Sequence, residues 1–349
     1  MEEIKFRDKV QKERFYKLYN EKWHLLTKDL ELLIKNVIVI FKRHSNDESY
    51  ITLALIYWML YFWIIDNSHE ILEKSDSKKI KLIRSSFKYE MEWDYKKFLD
   101  IILAMEKDLF LFKTVIKYSI LSFEKKFIKI APNQENYYKS IWYILPYLTY
   151  IESPFLGFFQ DVYFKKVYPK KYEKVRKFYR EKVDKIEFPW EHMFTMVNNL
   201  TNIMMQSESF WNIKVRRKTY FSIYNKRIRK KWNTSMDNIW IRVIFPDIEN
   251  LKKFVRLFEE KYVFIEKKDY VKKPKINWYK SIHFKYISPY RDSQVLVELQ
   301  LRTILMDREI HSTDSISHFN YTINQNKWSK NFKEIQQGYT YTSKILEIK

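Results

Sequence analysis

Glu298, Gln300 and Arg302 alternate with Val297, Leu299 and Leu301 toward the C-terminal end of this chain. Alternation at period two predicts a half-buried strand over residues 295–302. Val295, Val297, Leu299 and Leu301 share one face, and Leu296, Glu298, Gln300 and Arg302 the other. An acid, an amide and a guanidinium on one face are costly unless something polar sits above them. The segment before it repeats the pattern: Tyr279, Ser281, His283 and Lys285 share one face, Ile282 and Phe284 the other. Two strands therefore present polar side chains to what could be one site. A basic loop with Lys272, Lys273, Pro274, Lys275 and Asn277 precedes them. Further upstream, Lys218, Ser222 and Lys226 are spaced i, i+4, i+8, so a helix would put them on one face. A row of cations with a hydroxyl suits the charge of a triphosphate.

The order and spacing of these segments carry a resemblance. DYVKKPKINWYKSIH (269–283) followed by VELQLRT (297–303) resembles the synthetase domain of the RelA/SpoT family, the (p)ppGpp alarmone enzymes, whose pattern is roughly DYIxxPKxNGYxSLH and then EIQIRT. VRRKTYFSIYNKRIRKKW (215–232) resembles the family's GRxKxxYSIYxK motif, and MDNIWIRVIF (236–245) its DLxGxRxI strand. MDREIHSTDSISHFNY (306–321) is similar to the closing MHxxAExGxAAHWxYK helix, with His318 in register and His311 in place of the usual Glu. The resemblance implies that Arg216, Lys218, Ser222, Lys226 and Arg242 bind ATP. It makes Asp237 and Glu298 the catalytic carboxylates and ligands of Mg²⁺, a hard ion that prefers carboxylate and phosphate oxygens. It places Tyr279 on the acceptor guanine, Asn277 on its edge, Lys275 and His283 at the acceptor phosphates, and Gln300 and Arg302 in support of the pocket. Two departures stand out. Trp240 and Trp278 occupy positions where the family has glycine, a residue used for backbone freedom or close approach. Glu266-Lys267-Lys268-Asp269 mixes the family's basic and acidic variants, which leaves GDP and GTP both open as acceptor.

The elements that must hold these residues read as α+β. The chain has 349 residues, room for two or three domains, and 46% hydrophobic residues, enough for real cores. The expected division is a helical domain over 1–140, connecting helices over 141–209, a mixed-sheet synthetase domain of nucleotidyltransferase type over 210–325, and a tail over 326–349. Cysteine is absent, which excludes disulfides, Cys-ligated zinc and thiol nucleophiles, and fits a reducing cytoplasm. The net charge of +22 fits a polyanionic partner, with RNA or ribosome contact among the options. It equally fits compositional drift, since Lys, Ile, Asn, Tyr and Phe are abundant and Gly numbers 2. The N-terminal MEEIKFRDKVQKERF lacks the apolar core of a secretory signal. The most apolar run, residues 51–65, falls short of the roughly 20 residues that span a bilayer and is expected as a buried core helix, without stable membrane association.

Within 1–140, the segment 67–77 reads as a polar loop and residues 99–123 as one apolar helix. LAMEKDLFLFKTVIKYS (103–119) resembles the AMxKDxRVxLIKLADR segment of the family's hydrolase domain. SIWYILPYL and QDVYFKKVYPKKYEKV further on are similar to its YAPLAxRLG and EDLxFxYLxPxxY segments. That hydrolase depends on a metal held by His and Asp. This chain has no His-Asp pair, carries Leu53 where YIxHPL has its His, and places the ADR aspartate near Ile120. The expectation is therefore a degenerate, metal-free hydrolase domain. It precedes a synthetase that transfers pyrophosphate from ATP to the 3′-hydroxyl of GDP or GTP in a stringent response. The alternatives are a toxin-like pyrophosphotransferase acting on tRNA 3′ ends and an inactive nucleotide- or RNA-binding regulator.

Overall fold

A computed structural model of the chain describes residues 4–92, 94–122, 134–150, 153–182, 189–206, 212–229, 239–275, 278–290 and 293–312. It separates into two compact units, Met1–Ile144 and Leu145–Lys349.

The first unit is helical: α1 (Lys9–Lys22), α2 (Lys28–Lys42), α3 (Ser49–Tyr61), α4 (Lys74–Met91), α5 (Tyr95–Ala104), α6 (Lys107–Ser122) and α7 (Gln134–Lys139), with α8 (Ile141–Tyr150) carrying the boundary. Thr27 and Asp94 start α2 and α5 by accepting from the backbone N–H of Leu30 and Lys97. Helix α3 is apolar all round, and every residue from Tyr50 to Leu60 is buried, so the apolar run is a core helix up to that point; the helix ends at Tyr61, and Phe62 and Trp63 beyond it are exposed rather than buried. Among the described residues no helix is long and apolar enough to cross a membrane. Leu53 is 1% exposed, one more packing residue of α3.

Two sequence expectations need correction here. The polar stretch 67–77 is loop only as far as Glu73. Glu73 and Asp76 form a reciprocal capping box that starts α4, and Asp76 is buried against Arg14. Residues 99–123 are not one helix. The backbone is extended at Met105 (ψ 138°), which separates α5 from α6. The apolar pattern runs through this corner because Met105 is itself buried.

The second unit adds α9 (Leu156–Val167), α10 (Pro169–Lys182) and α11 (Pro189–Gln206) to β1 (Asn212–Arg217), α12 (Tyr220–Arg229), β2 (Ile239–Phe245), α13 (Ile248–Lys261), β3 (Phe264–Asp269), β4 (Ile282–Tyr290), β5 (Ser293–Thr303) and α14 (Ile304–Ser312). The strands form one mixed sheet in the order β1-β2-β5-β4-β3. The β2–β5 pair is parallel and the others antiparallel. One face of the sheet is apolar. Ile241, Val243, Phe284, Tyr286, Val297, Leu299 and Leu301 pack there with Met196, Leu200 and Met204 of α11 and Leu251, Phe254 and Phe258 of α13. Asp247 caps α13, accepting from the Asn250 N–H. With that face filled by helices, the opposite face is left for polar side chains.

Candidate functional site

The pleat sends alternate residues of each strand to that opposite face, and the register aligns them in rows. Arg216, Trp240, Glu298, Lys285 and Glu266 stand opposite one another across the five strands. Lys214, Arg242, Gln300, His283 and Lys268 make the next row. The sheet thus brings together Glu298, Gln300, Arg302 and His283, which alternation singled out on two stretches, and Arg242, which the resemblance singled out on a third.

Glu298 is the hub. Its Oε2 accepts from Lys218 Nζ at 2.9 Å, and its Oε1 lies 3.3 Å from Gln300 Nε2 and 3.4 Å from His283 Nδ1. The other nitrogen of His283, Nε2, is 2.8 Å from the Tyr279 hydroxyl. Arg302 Nη2 donates to that same hydroxyl at 2.9 Å and to Gln300 Oε1 at 3.3 Å, while its Nη1 donates to Asp307 Oδ1 at 3.0 Å. Asp307 also accepts from Arg242 Nη1 at 3.2 Å, and the Arg242 guanidinium lies 4.5 Å from the Trp240 ring centre. One hydrogen-bonded chain therefore runs from Glu298 through His283, Tyr279, Arg302 and Asp307 to Arg242. Because Arg302 donates to the Tyr279 oxygen, the phenol's own proton is directed to His283 Nε2. His283 then carries its proton on Nδ1, facing Glu298.

Burial lowers the His283 pKa, the cations Lys275 and Arg302 act in the same sense, and Glu298 opposes them. The imidazole is thus neutral at neutral pH. Removing the Glu298 charge in Glu298→Gln should lower its pKa further. An NMR titration of the His283 ring resonances checks both directions. A midpoint above the ordinary 6.5 in the intact protein would contradict the arrangement.

The basic loop after β3 is tied at its base. Asp269 accepts from the N–H groups of Val271 and Lys272, and Tyr270 N–H donates to Ser281 O at 2.9 Å. Lys275 is exposed as a residue, yet its ammonium lies 4.5 Å from both the Tyr270 and Tyr279 ring centres. Partial desolvation there lowers its pKa, opposed by Glu298 and helped by Lys268 and Arg302. At the outer edge, Glu266 is held by Lys268 and Lys285, whose hydrogen bonds bring its carboxyl down to about 2.

Lys218, Ser222 and Lys226 do not share a helix face. Strand β1 ends at Arg217 and α12 begins at Tyr220, so Lys218 lies in the two-residue connection. Helix α12 starts late because Thr219 caps it, accepting from Ser222 N–H at 3.0 Å, while Asp161 of α9 accepts from Phe221 N–H at 3.1 Å. Gly157 lets α9 come this close, since a Cβ there would lie 3.1 Å from Thr219 Cγ2. Freed from the helix, Lys218 reaches the sheet and Glu298. Ser222 and Lys226 stay on α12, and Arg216 sits on β1 in register with Trp240. Asp237, Asn277 and His318 lie outside the described residues, as do the side chains of Arg216 and His311. Asp307, Lys268 and Tyr270 were not singled out by sequence patterning. Asp307 in the first turn of α14 resembles any acid placed to suit a helix dipole.

Residues 215–326 match the family model described as "Region found in RelA / SpoT proteins". These residues are similar to a RelA/SpoT region. Relatives include the guanosine-3′,5′-bis(diphosphate) 3′-pyrophosphohydrolases of Aquifex aeolicus, 30% identical over 202 residues, and of Spiroplasma citri, 26% identical over 200 residues. Each match covers 54% of this chain, which spans about a quarter of those relatives' length (28% and 25%). Among solved structures, the small alarmone synthetase 1 of Bacillus subtilis bound to its product pppGpp is 22% identical with a TM-score of 0.36, covering 50% of this chain and 94% of that one. The small alarmone synthetase 2 of the same organism is 24% identical with a TM-score of 0.33, covering 45% and 92%. The matched residues begin within β1 and take in β2 to β5, so both polar rows fall inside the match except for Lys214 at its edge.

Proposed function

We propose that the RelA/SpoT region transfers the pyrophosphoryl group of ATP to the 3′-hydroxyl of GDP or GTP. The observation that carries this reading is Glu298, a carboxylate on a sheet face, held by Lys218 on the donor side and His283 on the acceptor side. In the proposed reaction the acceptor 3′-oxygen attacks the β-phosphorus of ATP, the bond between that phosphorus and the α–β bridging oxygen breaks, and AMP leaves. Glu298 takes the hydroxyl proton. Lys218, Lys226 and Arg216 neutralise the triphosphate, which competes with Glu298 for the Lys218 ammonium as it enters. Arg242 flanks the donor, its guanidinium plane braced by Trp240 and Asp307. Tyr279 and Lys275 receive the acceptor base and phosphates, with Asn277 at the base edge, while Gln300 and Arg302 keep Glu298 and Tyr279 in place.

Magnesium fits this donor set. The ion commonly takes one or two carboxylates and completes its shell with substrate phosphates and water, so Glu298 with Asp237 is a sufficient protein contribution. When bound it would supply charge neutralisation at the transferring group.

In the same proposal the first unit has no hydrolase activity. The relatives' names say hydrolase, but here Leu53 packs in the core where the family's YIxHPL has its His, and the sequence holds no His-Asp pair. The experiment is a transfer assay with ATP labelled in its β- and γ-phosphates, offered GDP, GTP and tRNA in parallel. Label on a guanine nucleotide supports the proposal. Label on tRNA alone would replace it with the tRNA-modifying reading, and no label on any acceptor with the regulatory one.

A further inference from the structure

We propose that Trp278 is a specificity-determining contact of the acceptor, an indole presented at the mouth of the acceptor site to stack on a purine base. The inference rests on the pyrophosphotransferase reading and deepens it.

Trp278 has φ +62° and is 70% exposed. The left-handed region is unfavourable for any L-residue with a bulky side chain; glycine tolerates it best, and Asn and Asp next. Among the described residues Trp63 shares this conformation, at φ +59°. There the cause is visible: Trp63 follows the last turn of α3, and Ile64 N–H closes back on Met59 O at 2.8 Å, a helix C-cap that demands a left-handed residue. Trp278 ends no helix. Its N–H donates to Lys275 O at 2.8 Å and Lys275 N–H to Tyr279 O at 3.3 Å, so it closes a tight turn that a small residue would close with less strain. Burial offers no return either, since most of the indole faces solvent. An outlier conformation kept by a large exposed side chain is what a ligand-contacting position shows.

The surroundings name the ligand class. Tyr279, next in sequence, is half-buried, with its hydroxyl fixed by Arg302 and His283 and the Lys275 ammonium near its ring. Trp278 is thus the more exposed π-surface of this turn, beside the half-buried Tyr279. Lys272, Lys273 and Lys275 are exposed on the same loop and can meet a diphosphate. Exposed indole plus lysines suits a nucleoside diphosphate with a large base. Stacking is tolerant of base identity but favours purines by area. Trp278 therefore sets affinity for purine acceptors over pyrimidine ones, leaving base-edge recognition to other groups.

Calorimetry of GDP and CDP binding, without turnover, tests this on the full chain. Trp278→Gly should weaken GDP binding by about tenfold, within the range of one base stack, and narrow the GDP/CDP ratio. Trp278→Phe should restore most of both, and Trp278→Gly should melt no lower than the parent because the turn loses its strain. Unchanged GDP affinity in Trp278→Gly, with binding lost in Tyr279→Ala, overturns the inference and leaves the acceptor site standing. A several-degree drop in Tm for Trp278→Gly assigns Trp278 a structural role and also overturns it. Absence of GDP binding by the parent chain overturns the acceptor site itself and this inference with it.

Discussion

Glu298→Gln is expected to reduce pyrophosphoryl transfer by at least about 10²- to 10⁴-fold, the span that a positioned general base contributes. The amide keeps the shape of the carboxylate, and Lys218 can still donate to its oxygen. What is lost is the charge that accepts the 3′-hydroxyl proton and that offers a magnesium ion its hard oxygen. Glu298 is partly exposed on the polar face of β5, with side-chain exposure of 17%. The apolar face of that strand, Val297, Leu299 and Leu301, carries the packing. The variant should therefore fold, with circular dichroism and melting close to the parent. Activity retained in a folded Glu298→Gln protein removes Glu298 from the mechanism.

The second large effect lies in the first unit and concerns stability. Glu90 of α4 accepts from both Lys113 and Lys117 of α6, and Lys117 also donates to Ser140 Oγ at 3.0 Å. All three charged residues are buried. Lys113 lies within 5.1 and 4.6 Å of the Phe87 and Phe98 ring centres, and Lys117 within 4.9 Å of Tyr137. Burial pushes the Lys113 pKa down to about 8 and lowers that of Lys117, with Glu90 opposing in both. For Glu90, burial acts upward, but the two ammoniums outweigh it and hold the carboxyl below its ordinary range. Glu90→Gln leaves two buried ammoniums without a counter-charge and should cost about 3–5 kcal/mol. That is a large part of the 5–15 kcal/mol typical of a whole fold. Replacing all three residues by apolar ones of similar size should recover most of the loss. The pH sign follows from the lowered Glu90 pKa. Its contribution is complete above the ordinary value of 4.5 and is lost as pH falls through the lower folded value. Urea midpoints across pH check both statements. A cost below about 1 kcal/mol would mean that water reaches the cluster.

These two cases also mark what sequence patterning reveals and what it hides. Alternation on β4 and β5 assigned Glu298, Gln300, Arg302 and His283 to one face, because a strand with one buried side has no other way to sort its residues. Lys218 was misplaced because i, i+4, i+8 spacing fits a helix, whereas a hydrogen bond accepted by Thr219, joined by one accepted by Asp161 some sixty residues away, decides where the helix starts (|i−j| = 60). Lys113 and Lys117 read as ordinary members of an apolar helix. Their partner Glu90 is 23 and 27 residues distant, and no local pattern announces a pairing made only in the packed core. Asp307 is hidden in the same way, since its meaning comes from two arginines that the sheet brings to it.

The most direct measurement is incubation of the purified chain with ATP, Mg²⁺ and either GDP or GTP, followed by anion-exchange separation of the nucleotides. A peak more anionic than the acceptor, formed together with AMP and absent with Glu298→Gln, is the predicted result. A folded protein that gives no such peak with either acceptor, or one that gives it equally with Glu298→Gln, would contradict the account.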